Sequence, residues 1–357
     1  MQCLSMKQKY SNGRTEEFIG NETALVKPDP VNGVTFERLG YDSTVFKIEQ
    51  NDTYQLFLDS KKSPPICLSL IKRRSNCTST YSGSINSPII FDLNTNKVTQ
   101  CLSYIQHWRD DNINEYSGSE TTPVLIDLNT NKVTECLSYI FQCRDGLKRE
   151  YSGSETTPVL VSLLNAIYVT QCLSIIHTSS YGRIDEYYGS EAAPVKSDPH
   201  SGKVMQCLSM KQKYSNGRTE EFIGNETALV KPDSKTSKIT QCLYKNQKYS
   251  DGRTEEFKGS ETAPVKFNPE TAIPFQFLSM IQTNTNGSKT EFIGNESTPV
   301  KTDPKTLQIT QSLSMKRTYS SGIIDEFKGN ETALVKINPE TGIPFRFLSM
   351  IRTNPNQ

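Results

Sequence analysis

The polar residues that could do chemistry in this chain recur in one pattern, Gly-Asn/Ser-Glu, which follows a glutamate and an aromatic residue. A carboxylate beside an aromatic ring suits a sugar, because the carboxylate accepts hydrogen bonds from hydroxyl groups while the ring covers the apolar sugar face. Copies of such a site would bind multivalently, gaining avidity without any tight single site. The candidate ligand-binding residues are Glu22, Glu120, Glu155, Glu191, Glu226, Glu261, Glu296, Glu331, Phe222 and Phe257.

The same residues also have a plain structural interpretation, which the sequence favours. Gly-Asn/Ser is a turn signal, the aromatic residue suits a core, and the glutamate suits a solvated or turn-capping position. If repeats stacked closely, the glutamates would lie over one another, so the column needs wide spacing or neutralisation. Arginine and lysine side chains could supply the positive charge, and calcium is the one candidate cofactor. The loops at Asp92–Asn96 and Asp127–Asn131 resemble calcium ligands, but they lack a downstream bidentate glutamate and are more typical of turns.

Four asparagines in the same pattern stand in Asn-x-Ser/Thr sequences. These candidate glycosylation sites are Asn21, Asn225, Asn295 and Asn330. Acceptors on a repeated turn favour a secreted glycoprotein with glycans along one edge, hence an extracellular or cell-surface location. Serine replaces asparagine at this position in other repeats, so the asparagines also fit a purely structural turn.

Seven of the nine cysteines share one repeat position, and Phe277, Ser312 and Phe347 occupy it in later repeats. A position that accepts cysteine, serine or phenylalanine indicates packing rather than an obligatory disulfide. Cross-links between neighbouring repeats or chains are the alternative, and the odd number of cysteines permits them. The sequence contains no Cys-x-x-Cys pair that would indicate a zinc ribbon.

The chain is a tandem array with a period of 35 residues, and residues 1–29 are identical to residues 205–233. Since a repeat buries its apolar face against its neighbours, we expect one repeat domain over residues 1–357. Unit 36–65 diverges from the pattern. The units are 2–35, 36–65, 66–99, 100–134, 135–170, 171–205, 206–240, 241–275, 276–310, 311–345 and a partial unit 346–357.

Alternating segments and turn signals predict an all-β fold with about three short antiparallel strands in each repeat. Ser-Asn-Gly sequences suit tight turns, and Asp/Asn-Pro followed by glycine suits a type I turn that ends in a residue with positive φ. An open, elongated, solenoid-like array is favoured because both ends present the same strand type, and a β-propeller arrangement is the alternative.

The third strand changes character in the units between residues 66 and 170. Most repeats read Val-Lys there, but these units place Ile90, Leu125 and Leu160 at the lysine position. A strand that is apolar on both faces indicates either a locally thicker core or a surface that meets another chain. These three residues are the candidate interface.

No sequence feature supports catalysis, because the three histidines stand at different repeat positions and no triad recurs. The net charge of +1 disfavours nucleic acid, and the longest apolar passage is too short to cross a bilayer. We therefore expect a non-enzymatic extracellular structural or adhesive protein that assembles with itself into fibres or a surface layer. A lectin with one weak site in each repeat is the alternative.

Overall fold

The computed structural model describes five N-terminal strands and most of the chain beyond them. Those strands are Ser5–Lys9, Thr15–Ile19, Val26–Pro28, Phe36–Arg38 and Thr53–Asp59. From residue 66 to residue 355 the description omits only residues 75, 93–94, 96, 165–167 and 304–307. The predicted site residues Asn21 and Glu22 lie outside the described residues.

Between residues 66 and 355 the described residues form strands of two kinds and no helix. The long strands are Ile66–Arg73, Cys77–Ser82, Ser103–Trp108, Ile113–Ser117, Ser138–Gln142, Lys148–Ser152, Ser174–Thr178, Ile184–Tyr188, Ser209–Lys213, Thr219–Ile223, Tyr244–Lys248, Thr254–Lys258, Ser279–Thr283, Lys289–Ile293, Ser314–Thr318, Ile324–Lys328 and Ser349–Thr353. The short strands are Ile90–Asp92, Lys97–Cys101, Val124–Ile126, Val133–Cys136, Val159–Val161, Val169–Cys172, Val195–Ser197, Val204–Gln206, Lys231–Pro232, Ile239–Cys242, Val265–Phe267, Pro274–Phe277, Val300–Thr302, Ile309–Ser312, Val335–Ile337 and Pro344–Arg346. The predicted all-β repeat fold is confirmed.

From residue 66 to residue 345, each period contains four strands, one more than the sequence predicts. The segment predicted as one strand is divided at a leucine, as at Leu243 between Ile239–Cys242 and Tyr244–Lys248. The nitrogen of this leucine still donates to the Ile223 carbonyl (2.9 Å) and its carbonyl accepts from Gly259 (2.7 Å). The backbone therefore stays hydrogen-bonded while the chain passes from a short-strand sheet into a long-strand sheet.

The two predicted kinds of turn connect these strands. At the Ser-Asp-Gly turn, Gly252 has a φ of +92°, a left-handed conformation that glycine adopts without strain. At the other turn, the side chain of Asn268 accepts hydrogen bonds from the nitrogens of Glu270 (2.8 Å) and Thr271 (3.1 Å), and Ala272 has a φ of +63°. The predicted turn with a final positive φ is therefore confirmed.

The chain divides into two compact units, and each contains both long and short strands. Unit 1 comprises Met1–Asp145 and Gly153–Ala166. Its long strands pair antiparallel in chain order from Thr53–Asp59 to Ser138–Gln142, and its short strands do the same from Ile90–Asp92 to Val159–Val161. Four tyrosines on neighbouring long strands stack with ring centroids 4.4–5.6 Å apart, namely Tyr81, Tyr104, Tyr116 and Tyr139.

Unit 2 comprises Gly146–Ser152 and Ile167–Gln357. Its twelve long strands pair antiparallel in chain order from Lys148–Ser152 to Ser349–Thr353. Eight of its short strands form a second sheet, again in chain order, from Lys231–Pro232 to Pro344–Arg346. Because one sheet continues through successive repeats, unit 2 is not divided into the separate blades that a β-propeller would require.

The core within each unit contains the phased cysteines and their cross-strand partners. Val195 and Val265 are fully buried and stand opposite Cys172 and Cys242, which are also fully buried. Phe277 and Ser312 occupy the same place opposite Val300 and Val335. The phased cysteines of the described residues are buried and form no disulfide, which agrees with a packing position.

Candidate functional site

The glutamates of the Gly-Asn/Ser-Glu pattern are exposed and hydrogen-bonded to the preceding repeat. Asn225 donates to Glu261 (2.5 Å), Ser260 to Glu296 (2.7 Å) and Asn295 to Glu331 (2.8 Å). The same link joins Ser84 to Glu120, Ser119 to Glu155 and Ser190 to Glu226. Glu191 holds the corresponding position and is exposed. We name this set of contacts the glutamate ladder.

The glutamate ladder shows how the repulsion between stacked glutamates, expected from the sequence, is reduced. Each repeat adds two strands to a sheet, so equivalent residues are two strand spacings apart, about 9.6 Å. At the six links named above, a side-chain donor of the preceding repeat also binds the carboxylate. Hydrogen bonds from Thr262 and Ser260 lower the pKa of Glu296, and those from Thr227 and Asn225 lower the pKa of Glu261. Glu261 and Glu296 are therefore charged at neutral pH and bound to the preceding repeat.

The aromatic residues of the same pattern lie apart from these glutamates. Phe222 and Phe257 are 5% and 4% exposed. Their rings contact Phe267 and Phe277 edge to face, with centroids 5.9 and 5.1 Å apart. These rings pack inside unit 2 while the ladder glutamates are exposed, so the structure does not bring a ring and a ladder glutamate together as one sugar site.

The side chains of the candidate glycosylation asparagines make hydrogen bonds within the fold. The Oδ1 atom of Asn225 accepts from the nitrogen of Ala228 (2.7 Å), and that of Asn330 accepts from the nitrogen of Ala333 (2.7 Å). The Nδ2 atom, to which a glycan would attach, donates to the ladder glutamate at Asn225 and Asn295. Glycosylation stays a prediction, and at these two positions it would compete with the link between repeats.

The loops that resemble calcium ligands are capped turns. Oδ1 of Asp127 accepts from both the nitrogen and the hydroxyl of Thr130 (2.7 Å each), and Asp92 does the same with Thr95. Among the residues that the structure describes, no group of three or more His, Cys, Asp or Glu side chains is arranged to hold a metal ion. No helix in the described part of the chain is long and apolar enough to span a membrane.

The candidate interface residues form a row on the outer face of the short-strand sheet in unit 1. Ile90 is 45% exposed, and Leu125 and Leu160 are partly exposed. Their neighbours along the strands point the other way, and Val124 and Val159 are fully buried. Among the described residues, only Ile90 of this row is exposed, while Leu125 and Leu160 are half-buried, so the row stays a predicted contact surface.

A groove in unit 2, which the sequence analysis did not predict, contains buried charged side chains. It has a volume of about 840 Å³ and lies between the long-strand sheet and the turns of the short-strand sheet. Its floor contains Phe222, Phe257 and Lys245, and its opposite wall includes Ile239 and Pro274. Lys245 is only 5% exposed and Glu220 only 7%.

Lys245 occupies a position that is otherwise apolar. Its Nζ atom lies 5.6 Å from the ring centroid of Phe222, 5.8 Å from Phe257 and 5.7 Å from Phe267. Burial lowers the pKa of Lys245, and the Glu220 carboxylate at 3.5 Å offsets this only in part. The residues at the same repeat position are Leu70, Tyr104, Tyr139, Ile175, Met210, Met280, Met315 and Met350. The replacement of an apolar residue by lysine at this one repeat was the signal in the sequence that could have indicated the groove.

Glu220 binds a second cation more closely than it binds Lys245. Nη2 of Arg218 donates to Glu220 at 2.7 Å, and the hydroxyl of Tyr214 donates to the same carboxylate at 3.0 Å. Burial raises the pKa of Glu220, but the charges of Lys245 and Arg218 outweigh it and the net shift is downward. The guanidinium of Arg218 lies 5.1 Å from the ring centroid of Tyr214 and 5.9 Å from that of Tyr249. Its Nε atom is buried without a hydrogen-bond partner.

Comparisons with known proteins identify no family for the chain. No family model matches it, and no curated protein matches it. Among solved structures, it is similar to the TCP10 domain of Danio rerio CPAP in complex with a peptide of Danio rerio STIL, with 7% identity over 86% of this chain and 97% of that one and a TM-score of 0.25. Hsv2 of Kluyvelomyces marxianus matches with 8% identity, coverage of 80% and 95%, and a TM-score of 0.14. Scores this low establish no common fold, so nothing about those proteins is carried over to this chain.

Proposed function

We propose that this protein is a non-enzymatic structural repeat protein that associates with further copies of itself through the outer row of unit 1. The observation that carries the proposal is the replacement of lysine by apolar residues in that row. Lysine stands at this position in unit 2, where Lys196 and Lys266 are exposed and lie opposite Gln171 and Gln241. The change is confined to one continuous surface of unit 1.

The outer row is suited to pairing with a copy of itself. In cross-strand order it reads Ile90, Gln100, Leu125, Glu135 and Leu160. A two-fold axis through Leu125 would bring Ile90 of one copy against Leu160 of the other, and Gln100 against Glu135. Such an isologous contact matches apolar groups with apolar groups and an amide donor with a carboxylate.

The glutamate ladder supports the structural part of the proposal. The most regular polar groups of the chain contact neighbouring repeats, and the phased cysteines are buried. Burial raises the pKa of Cys101, Cys172 and Cys207 to about 12, so these thiols stay protonated and unreactive at neutral pH. The repeated residues thus hold the array together.

Sedimentation velocity of a Leu125→Lys, Leu160→Lys double variant tests the proposal. Lysine is the unit 2 residue at this position and Glu135 lies opposite both leucines, so the variant should fold with an unchanged unfolding midpoint. We expect the wild-type protein to associate as its concentration rises and the variant to remain monomeric.

The control variant is Leu348→Lys, at a leucine of unit 2 that is 59% exposed, and it should associate like the wild type. A wild-type protein that stays monomeric at every concentration would refute self-association. Loss of association in Leu348→Lys but not in the double variant would instead refute the assigned surface.

A further inference from the structure

The groove of unit 2 contains charged groups that are buried. A contribution to fold stability does not by itself explain why they are buried. Desolvating an ammonium group costs free energy, and the Glu220 carboxylate at 3.5 Å together with the charge of Glu255 repays only part of it. Apolar residues fill the position of Lys245 in the other described repeats without that cost. A residue that weakens its own repeat in this way points to a role in binding.

The charge of the groove is unbalanced. Its lining includes two carboxylates, Glu220 and Glu255. The lining also includes five cations, namely Arg183, Arg218, Lys238, Lys245 and Arg317. Asp185, just outside the lining, pairs with Arg183 at 2.9 Å, which leaves an excess of positive charge. An anion is therefore the complementary ligand.

The unpartnered Nε atom of Arg218 is a second, independent sign of a ligand. The two tyrosine rings and the bond to Glu220 hold the guanidinium in place, so the free N–H is preorganised. A buried donor without an acceptor costs free energy, which a bound oxygen would recover. Lys245 and Arg218 contact the same oxygen of Glu220, so they are close enough to act on one anionic group.

A long apolar row runs along the floor, beside the polar side chains of Gln212, Gln247 and Gln282. Met210, Phe222, Phe257, Met280 and Phe292 line it on neighbouring long strands. The floor extends over seven adjacent strands, from Ser209–Lys213 to Ser314–Thr318, which is about 29 Å at the usual strand spacing. The volume lies within the range of small-molecule sites. An elongated apolar chain would fit along this floor.

We propose that this groove binds an amphipathic carboxylate of the fatty-acid type, with the carboxylate held between Lys245 and Arg218 and the apolar chain on the methionine and phenylalanine floor. The ligand carboxylate accepts from the Nε atom of Arg218 and pairs with the ammonium of Lys245. The charge excess of the groove is thereby reduced. This site is independent of the self-association surface, which belongs to unit 1.

Fluorescence titration with cis-parinaric acid tests this proposal on the full chain. The probe brightens in apolar surroundings, and its methyl ester is a neutral match of the same length. We expect the acid to bind at least about tenfold more tightly than the ester, since the charge-assisted contacts are lost in the ester. Equal binding of acid and ester, or no binding of the acid, would overturn the proposal.

Two variants locate the site. Lys245→Met restores the residue found at this position in neighbouring repeats and leaves Glu220 bound to Arg218, so the variant should fold. Its affinity for the acid should be at least about tenfold lower than that of the wild type. Lys231→Met, on an exposed short-strand lysine, is the matched control and should bind like the wild type. Equal affinity of the wild type and Lys245→Met would refute the assignment. Lauric acid and an acidic peptide of about nine residues are then compared as competitors of the probe. If the peptide displaces the probe at a lower concentration than lauric acid does, the proposed ligand class is refuted.

Discussion

At the scale of single residues, the roles of polar side chains depend on partners that are distant in sequence. Glu296 lies in an exposed loop, and its partner Ser260 is 36 residues earlier. The sequence indicates that the glutamate column needs neutralisation, but the nature of the partner depends on how repeats stack. The same holds for Lys245, because its three phenylalanine neighbours come from three different strands.

The buried cysteines predict a loss of stability in alkaline solution. Burial raises the pKa of Cys207 and Cys242 from 9.0 to about 12, so in the folded state these thiols remain neutral while in the unfolded state they ionise above pH 9. Their contribution is fully present below pH 9 and is lost as the pH rises toward 12. Each thiol should cost about 1.4 kcal/mol of unfolding free energy per pH unit in that window.

Urea unfolding of the wild type and of a Cys207→Ser, Cys242→Ser variant between pH 7 and pH 11 measures this effect. Serine occupies the same position natively at Ser312, which makes the variant compatible with the repeat. The variant should be less stable at pH 7 but lose less stability above pH 9. Parallel pH profiles for the two proteins would contradict the assignment.

At the scale of the element, local signals predict strands and turns well, and they predict the division between sheets poorly. The turn at Asn268 follows from Asn-Pro chemistry, which is local. The division of a strand at Leu243 is invisible in the sequence, because alternation continues through it and the two halves differ only in which neighbours they pair with. The packing role of the cysteine position was predictable because later repeats contain phenylalanine and serine there.

The glycine that opens each glutamate loop is required by close contact rather than by backbone freedom. A Cβ atom on Gly259 would lie 2.6 Å from the nitrogen of Val265 and 2.7 Å from the carbonyl oxygen of Ala263. The Gly259→Ala variant should therefore lose about 3 kcal/mol of unfolding free energy. Gly252 of the same repeat has a φ of +92° and no atom near its Cβ position, so Gly252→Ala should lose only about 1 kcal/mol.

Thermal or urea unfolding of both alanine variants provides the comparison. Equal losses would mean that the loop relaxes around the added methyl group, and the tight approach of the loop to the short strand would not be essential. A larger loss in Gly252→Ala would contradict the description of the loop outright.

At the scale of the whole molecule, the two units use one repeat for different surfaces. Unit 1 has stacked tyrosines inside and an apolar outer row. Unit 2 has methionine and phenylalanine inside, lysine on the corresponding outer face, and the charged groove. The outer row was predictable from the sequence, since apolar residues replace lysine at the same position in consecutive repeats. The groove was not predictable, because it depends on the distance between two sheets.

The account as a whole depends on the glutamate ladder as a contact between repeats, and a reversal of one hydrogen bond tests it most directly. Asn295→Asp keeps the acceptor that caps Thr298 but removes the donor to Glu331 and adds a repelling charge. Glu331→Gln then supplies a donor from the other side. The measurement is the urea unfolding midpoint at pH 7 of the wild type, both single variants and the double variant. We predict that Asn295→Asp lowers the midpoint and that adding Glu331→Gln restores most of the loss. An equal loss in Asn295→Asp whether or not Glu331→Gln is present would contradict the ladder.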